Sequence, residues 1–476
     1  MLSGAGVMLG ARTVMAVFGW IGLLFVARSL GEVAFGSYAF VFALLGMLGI
    51  VADFETTRIV MAEVDDWPNL DELVGRFIVF RVLLSSVMYG VALAVVVAGS
   101  YTGTEVKAVA LGGSSYFLAS ALWSLITVCQ AKFWLRSVAI AMIVGQAIQL
   151  ALVIVVFASD EHSVLRYVFP AVVNDAVALA VLVFLLRRVI RIRPRVDVAT
   201  WRRWFFSALP LATGSIIGQI YFKLDGVMLT WLLPRREGRT ATGLYQIGYK
   251  FSDLLAFVVP ALLAAVLPVL ARARTREAFR EGFASALIIV SVVVGLAVPV
   301  FLVLARPAIN FFFGQGLAPA ATPARWLIVG QAINFLTQLA FIALVAANRR
   351  RSYPKAALVG LVFNVVLNVI LIPDYGVMGA AIATIFTEVV VLAILMTSLR
   401  GLALRPFPLA VLFRVGAAAS LSGGAAAVGV RIFPWIIAGI VSVAVFVAVL
   451  EVVGIDGPSG WRGFAERQRQ LRTDSI

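Results

Sequence analysis

The sequence has few charged residues, one cysteine and one histidine. Charged residues make up 13% of the 476 positions, about half of the roughly 25% that is typical of a soluble domain. A single cysteine, Cys129, excludes a disulfide within the chain, and with His162 as the one histidine a Cys/His metal site is not expected. We therefore predict neither a metal nor a cofactor.

The sequence also lacks nucleotide-binding fingerprints and long polar loops. No Walker or dinucleotide motif is present, so the forty glycines fit close helix packing rather than nucleotide binding. No loop is long enough to hold the polar domain that membrane glycosyltransferases carry, which predicts that the protein is not an enzyme. The net charge of +15 is assigned to loops that set membrane topology, because no soluble domain is present to bind nucleic acid.

Long apolar runs dominate what is present. Hydrophobic residues make up 62% of the chain and form blocks of about 20 residues, the length that crosses the hydrocarbon layer as a helix. We predict an all-α polytopic membrane protein whose first apolar segment is a retained helix, not a signal peptide. About fourteen transmembrane segments are expected, near 4–27, 37–58, 77–98, 107–130, 137–157, 166–186, 204–232, 242–270, 283–305, 323–347, 356–372, 379–399, 409–431 and 435–454.

The basic residues of the loops predict the orientation. With the N-terminus in the cytoplasm, most arginines fall in cytoplasmic loops, which places both termini inside a cytoplasmic (inner) membrane. The triplet Arg235, Arg236 and Arg239 is the main exception, because it falls in an outer loop.

The polar stretch 187–203 divides the predicted helices into two sets. Gly36-Ser37-Tyr38 and Gly243-Leu244-Tyr245 open the second helix of each set, a weak sign of an internal repeat. We expect a first set of six helices, an arginine-rich cytoplasmic linker, a second set of eight helices, whose bounds are given below as six and then two, and a cytoplasmic tail. Their predicted bounds are 1–190, 191–203, 204–400, 401–455 and 456–476.

Two lysines lie deep in predicted helices seven and eight. A charge in the hydrocarbon core costs about 2.5–3.5 kcal/mol on insertion scales, so Lys223 and Lys250 call for a functional or pairing role. Gln219 and Gln246 each precede a lysine by one helical turn, and Asp225 and Asp253 follow closely. Two interpretations remain: intrahelical Lys–Asp contacts that lower the insertion cost, or side chains that line a polar cavity.

Other intramembrane charges have simpler alternatives. Arg12, two turns into the first segment, either lines a cavity or extends to the cytoplasmic headgroups, and Arg81 and Arg414 are expected to extend in the same way. Asp53 and Glu55 form either a local cluster with Arg58 or a proton or cation site. Candidate ion-coupling or charge-pairing residues are Asp53, Glu55, Asp225, Asp253, Asp175 and Glu388, the last two at corresponding positions of segments six and twelve.

Several stretches resemble Wzx-type polysaccharide flippases. These are 27–31, 35–39 and 49–54 near the start, and 364–368, 372–376 and 379–384 in segments eleven and twelve. The motifs are typical of the wider superfamily that includes MATE exporters and the lipid II flippase MurJ. The resemblance implies a six-helix N-terminal lobe (1–190), a six-helix C-terminal lobe (204–400) and two extra C-terminal transmembrane helices (401–455) in a V-shaped alternating-access fold. By the same resemblance, helices one, two, seven and eight surround a central cavity.

The resemblance and the charges together predict a function. We expect a flippase that moves undecaprenyl-diphosphate-linked oligosaccharide from the inner to the outer leaflet for cell-surface polysaccharide biosynthesis. Substrate-binding candidates are Arg12, Lys223, Lys250, Gln219 and Gln246, because an anionic headgroup needs cations inside the membrane. Expected partners are membrane lipids, H⁺ or Na⁺ as coupling ion, and a polysaccharide polymerase with other glycan-assembly proteins. The alternatives are a MATE-like cation-coupled multidrug exporter, a lipid II flippase and a non-transporting membrane scaffold.

Overall fold

The computed structural model describes residues 2–99, 101–256, 266–273, 275–347, 349, 352–400 and 409–453. Every element assigned in these ranges is helical, which confirms the all-α prediction. By length and composition, ten of the described helices can cross a membrane. These ten spans make the protein a multi-pass membrane protein. Helices α7 and α8, which carry Lys223 and Lys250, are not among the ten.

The chain forms two compact units, residues 1–243 and 244–476. The division falls inside α8, so its first turns belong to the first unit and its remainder to the second. The predicted lobe and linker bounds stay predictions. The first unit contains α1 Leu2–Asp53, α2 Thr56–Glu63, α3 Leu70–Ala98, α4 Gly103–Ala131, α5 Leu135–Ala158, α6 Val164–Leu186, α7 Val198–Leu232 and the start of α8 Arg235–Ala256.

The helices of the second unit pack mainly against their neighbours in sequence. The pairs in contact are α9 with α10, α10 with α11, and α12 with α13, while α9 also packs against α12 and α13. Buried Phe283, Phe335 and Leu344 form part of its core. These helices are α9 Arg276–Phe313, α10 Ala321–Ala346, α11 Ser352–Leu399, α12 Leu409–Ile432 and α13 Trp435–Val453.

Single glycines divide the two longest helices. At 1.5 Å per residue, the 52 residues of α1 span about 78 Å, more than twice the roughly 30 Å hydrocarbon layer. Gly31, with φ 67° and ψ −179°, interrupts α1 in a conformation that favours glycine. Gly376, with φ 53° and ψ −130°, interrupts α11 in the same way. Predicted segments eleven and twelve thus lie within α11. Predicted segment one and most of segment two (37–58) lie within α1, which ends at Asp53, and the rest of segment two reaches into α2.

The fourth predicted segment is one uninterrupted helix despite its Gly112-Gly113-Ser114 sequence. A Cβ at Gly112 would lie 2.9 Å from the Leu45 side chain, and one at Gly113 would lie 2.8 Å from Tyr89. These glycines allow close packing in the middle of α4 and do not end it.

Residues of the predicted linker pack on the first turns of α3. The Trp201 indole donates to the Arg76 carbonyl at 3.0 Å, and Arg76 Nε lies 3.3 Å from Asp197. Asp197 caps α7 by accepting from the Thr200 backbone N–H at 3.1 Å. The backbone and hydroxyl of Thr200 and, more weakly, the Arg76 guanidinium lower the pKa of Asp197. The start of α7 is therefore fixed to α3.

Candidate functional site

The three cations predicted to bind substrate are accessible. Arg12 is exposed on α1 and makes no ion pair with a described residue. Lys223 is half-buried on α7, and Lys250 is exposed on α8. Since Lys223 and Lys250 lie in different units, each is described by itself. Long positive side chains on α1, α7 and α8 thus lie at least partly at the surface of the described structure.

The predicted neighbours of the lysines lie in different environments. Asp225 is 2% exposed on α7, whereas Lys223 is half-buried. Gln246 is half-buried one turn before Lys250. The side chains of Gln219 and Asp253 lie outside the described part of the structure.

A polar cluster lies at the junction of α1 and α2, and we call Asp53, Glu55, Thr57, Arg58 and Arg81 the Asp53 cluster. Arg81 Nη2 lies 3.0 Å from Asp53 Oδ1, and Arg81 Nη1 donates to the Thr57 hydroxyl at 3.1 Å. The Thr57 hydroxyl donates in turn to Asp53 Oδ1 at 2.5 Å. The side chain of Arg81 on α3 therefore joins the ends of α1 and α2.

Glu55 forms the second ion pair of the Asp53 cluster. It lies 3.0 Å from Arg58 Nε and accepts a short hydrogen bond from the hydroxyl of Ser215 on α7. Phe54 and Glu55 have φ of 47° and 55°, a left-handed conformation that costs non-glycine residues about 1–3 kcal/mol each. The buried Glu55 contacts and the packing of Phe54 hold this strained turn in place.

A cavity of about 410 Å³ opens beside the Asp53 cluster. Asp53, Glu55, Arg58 and Arg81 line it together with apolar and hydroxyl-bearing side chains, so its acidic and basic groups balance. The expectation that Arg81 extends to the headgroups is wrong. Arg81 is 5% exposed because Asp53 and Thr57 compensate its charge inside the protein.

The other two predicted carboxylates lie in separate units. Asp175 on α6 is half-buried and accepts from the Asn174 amide at 3.2 Å. Glu388 on α11 is 3% exposed and accepts from Asn334 at 3.1 Å and Thr337 at 3.3 Å, both on α10. Glu388 thus joins two helices of the second unit through hydrogen bonds.

The first unit contains a second polar cluster, which was not predicted from the sequence. Its members are Glu105, Ser37, Thr102 and Arg239, and we call it the Glu105 cluster. Glu105 on α4 is 1% exposed. It accepts from the Ser37 hydroxyl at 3.0 Å and lies 2.5 Å from Arg239 Nε. It also accepts from the Thr102 backbone N–H at 2.9 Å, so the same carboxylate caps α4.

Backbone contact between α1 and α8 accompanies the Glu105 cluster. A Cβ at Gly36 would lie 1.8 Å from the Arg239 carbonyl oxygen, and one at Gly243 would lie 3.1 Å from the Gly36 Cα. The two glycines interpreted as a repeat are therefore in direct contact. Absence of a side chain at both positions brings the helices close enough for Arg239 to reach Glu105.

The described ranges contain no group of three or more His, Cys, Asp and Glu side chains placed to hold a metal ion. The charged groups described above are instead paired basic and acidic side chains, or accessible cations. Such an arrangement can bind and neutralise charge within an apolar protein, which is the requirement for moving a charged molecule across a membrane.

Comparison with solved structures places the fold among transporters. An inward closed conformation of the lipid II flippase MurJ matches with a TM-score of 0.75 at 13% identity, covering 96% of this chain and 99% of that chain. An inward-facing MATE family multidrug resistance transporter matches at 0.64 and 12% identity, covering 84% and 99%. A MOP superfamily transporter from Pyrococcus furiosus matches at 0.52 and 14%, covering 83% and 94%. No curated protein is significantly similar in sequence.

The fold and the charged residues within its helices define a multi-pass membrane protein with the architecture of MOP superfamily transporters. Residues 1–274, more than half of the chain, match the family model described as "Polysaccharide biosynthesis protein". The chain therefore belongs to this family. The predicted resemblance is confirmed at this level.

Proposed function

We propose that the protein is a flippase for undecaprenyl-diphosphate-linked oligosaccharide. It moves this lipid from the inner to the outer leaflet of the cytoplasmic membrane by alternating access, for cell-surface polysaccharide biosynthesis. Membership of the polysaccharide biosynthesis protein family and the transporter fold support the proposal.

The observation that carries the proposal is the placement of three long cationic side chains, each at least partly exposed, on α1, α7 and α8: Arg12, Lys223 and Lys250. A diphosphate loses strong hydration when it enters the membrane, and charge-assisted hydrogen bonds to cations offset that loss. Gln219 and Gln246 are candidate donors to the sugar. The prenyl chain would remain in lipid.

The proposal includes the predicted orientation, with both termini in the cytoplasm, and the predicted lobes 1–190 and 204–400. Coupling to H⁺ or Na⁺ would use carboxylates within the helices. The candidates are Asp53, Glu55, Asp175, Asp225, Asp253 and Glu388. A polysaccharide polymerase and other glycan-assembly proteins are the proposed partners.

Removal of one cation tests the proposal. Lys250→Ala is expected to abolish export of the lipid-linked oligosaccharide while the protein still inserts, because the headgroup loses one of its charge partners. Lys250→Arg should retain measurable export. Lys355→Ala is the matched control, since Lys355 is an exposed lysine near the start of α11. The measurement is lipid analysis of gene-deletion cells that carry each variant, with membrane levels checked by immunoblot.

The same experiment separates the rival functions. Deletion cells that accumulate prenyl-diphosphate oligosaccharide on the cytoplasmic face support the proposal, and accumulated lipid II would assign lipid II flipping instead. Drug sensitivity with normal lipids would assign multidrug export. Full export by Lys250→Ala would show that this lysine does not bind the headgroup.

A further inference from the structure

Three arginines depart from the predicted topology. Arg235, Arg236 and Arg239 lie at the start of α8, on the side predicted to be outside, where basic residues are disfavoured. The structure explains Arg239, which pairs with the buried Glu105. Arg235 and Arg236 are exposed and make no ion pair with a described residue. The presence of Arg235 on this side therefore needs a separate explanation, and the residues around it supply one.

Arg235 lines a cavity of about 580 Å³ in the first unit. The cavity lies at the end of α3, the end of α7 and the start of α8. Arg239 and the rings of Tyr101 and Trp231 also line it, and none of the described lining residues is acidic. Apolar side chains form the remaining wall, chiefly Val95, Ala98 and Leu233. Because Glu105 neutralises Arg239, the cavity combines the positive charge of Arg235 with an apolar wall.

The Tyr101 hydroxyl gives a second, independent indication of a ligand. It is buried beside Trp231, whose indole N–H is the one nearby donor to the Tyr101 oxygen, and the hydroxyl hydrogen has no acceptor among the described residues. Burial raises the pKa of Tyr101, so the hydroxyl keeps its proton at neutral pH. A buried hydroxyl is normally hydrogen-bonded, so an acceptor atom from a ligand fits this position.

We propose that this cavity binds the phosphate group of a lipid. Arg235 contacts the phosphate, the Tyr101 hydroxyl donates to one of its oxygens, and the apolar wall and Trp231 contact the first part of the chain. Tryptophan suits the membrane interface, where a lipid presents its phosphate. The same chemistry fits an anionic phospholipid of the outer leaflet and a prenyl diphosphate that has completed transport. The site goes beyond the proposed function, because it does not depend on which molecule is transported.

A neighbouring arginine provides the matched control. Binding of undecaprenyl diphosphate, phosphatidylglycerol and phosphate-free diacylglycerol is measured by native mass spectrometry on the purified full-length protein. Arg235→Gln should weaken binding of both phosphate lipids about fivefold, the effect expected for one basic residue near the membrane surface. Arg236→Gln, which changes the same charge one residue away and outside the cavity lining, should leave affinity unchanged. Trp231→Leu should also weaken binding, and diacylglycerol should not bind.

The outcomes distinguish the site from general surface charge. Equal losses in Arg235→Gln and Arg236→Gln, or no loss in either, would overturn the proposal. Preferential binding of undecaprenyl diphosphate identifies a site for the transported lipid, whereas equal binding of phosphatidylglycerol identifies a site for membrane lipid. Both support the phosphate site. Size-exclusion profiles confirm folding, and oligosaccharide export in the same variants is a separate readout that tests the proposed function.

Discussion

The Asp53 and Glu105 clusters of the first unit each hold a carboxylate–arginine ion pair inside the protein. They differ in how exposed the carboxylate is and in the backbone around it. Asp53 and Arg81 pair at 3.0 Å with the Asp53 side chain 31% exposed, beside a cavity. Glu105 and Arg239 pair at 2.5 Å with the Glu105 side chain 1% exposed. The first cluster adds a strained turn at Phe54 and Glu55, and the second adds glycine contacts between α1 and α8.

The difference lies in how much water remains available. A partly exposed carboxylate keeps some hydration and can lose its partner at moderate cost, whereas a buried one depends on its partner for compensation. The Asp53 cluster is therefore suited to exchange partners if the proposed function involves a change of conformation. The Glu105 cluster is suited to hold one arrangement firmly.

The largest expected effect is loss of the buried carboxylate charge. Glu105→Gln should destabilise the protein by about 3–5 kcal/mol, because this side chain, 1% exposed, loses its ion pair with Arg239 and one of the two oxygens that accept hydrogen bonds inside the protein. Thermal unfolding in detergent measures the change. Glu105→Gln with Arg239→Gln should recover part of the stability, and a double variant as unstable as the sum of the single variants would contradict the coupling.

A methyl group at the helix crossing should have the next largest effect. Gly36→Ala places a Cβ against the Arg239 carbonyl, and such overpacking costs about 1–3 kcal/mol. Gly46→Ala on the same helix is the control, because no atom lies within 4 Å of the added Cβ. Thermal unfolding of the two variants is compared directly, and equal stability would show that the helices can separate without loss.

Breaking the Asp53–Arg81 pair should have a smaller effect. Asp53→Asn is expected to cost about 1–3 kcal/mol, because water can replace part of the interaction at Asp53, whose side chain is 31% exposed, while Arg81, at 6%, loses the charge that compensates it. Arg58→Gln should cost less than about 1 kcal/mol, because the Arg58 side chain is 67% exposed. A double-mutant cycle that combines Asp53→Asn with Arg81→Gln measures the coupling free energy between these two side chains. A cost for Asp53→Asn as large as that for Glu105→Gln would remove the distinction between the clusters.

The smallest expected effect is loss of the Asp197 interactions when the pH is lowered. The folded-state pKa of Asp197 is lowered by Thr200 and Arg76, so its stabilising contribution is present above the pKa of the unfolded chain. That contribution is lost as pH falls through the lower, folded-state pKa. The melting temperature of Asp197→Asn should therefore depend less on pH between about 5 and 3 than that of the unaltered protein. Identical pH profiles would exclude a role for this cap.

Helical segments were predictable because their apolar length has one structural solution in a membrane. The predicted fourth segment, for example, is a helix throughout despite its Gly112-Gly113-Ser114 sequence. The interruption of α1 at Gly31 was not predictable from the sequence, because nothing in the sequence distinguishes this glycine from those that lie inside a regular helix. Its backbone conformation is what shows the interruption.

Partners distant in sequence were not predictable. Glu55 and Arg58 are three residues apart, a spacing that predicts contact, whereas Asp53 and Arg81 meet only after α3 packs against α1. Glu105 had one available signal, the Thr102-x-x-Glu105 pattern of a helix cap. Its second partner, Arg239, lies far along the chain. Arg239 shares its predicted outer loop with Arg235 and Arg236, which make no ion pair with a described residue, so its position did not identify Glu105 as its partner.

Gly31 and Gly376 also determine where the protein can be labelled. Each joins two membrane-length helical pieces through one residue, so neither junction offers a loop to receive an inserted epitope or a reporter domain. Insertions at these glycines should disrupt both adjoining helices. The connection between α5 and α6, where Asp160 and His162 are exposed, can accept a tag or a membrane-impermeant reagent. Topology mapping of this protein should begin there.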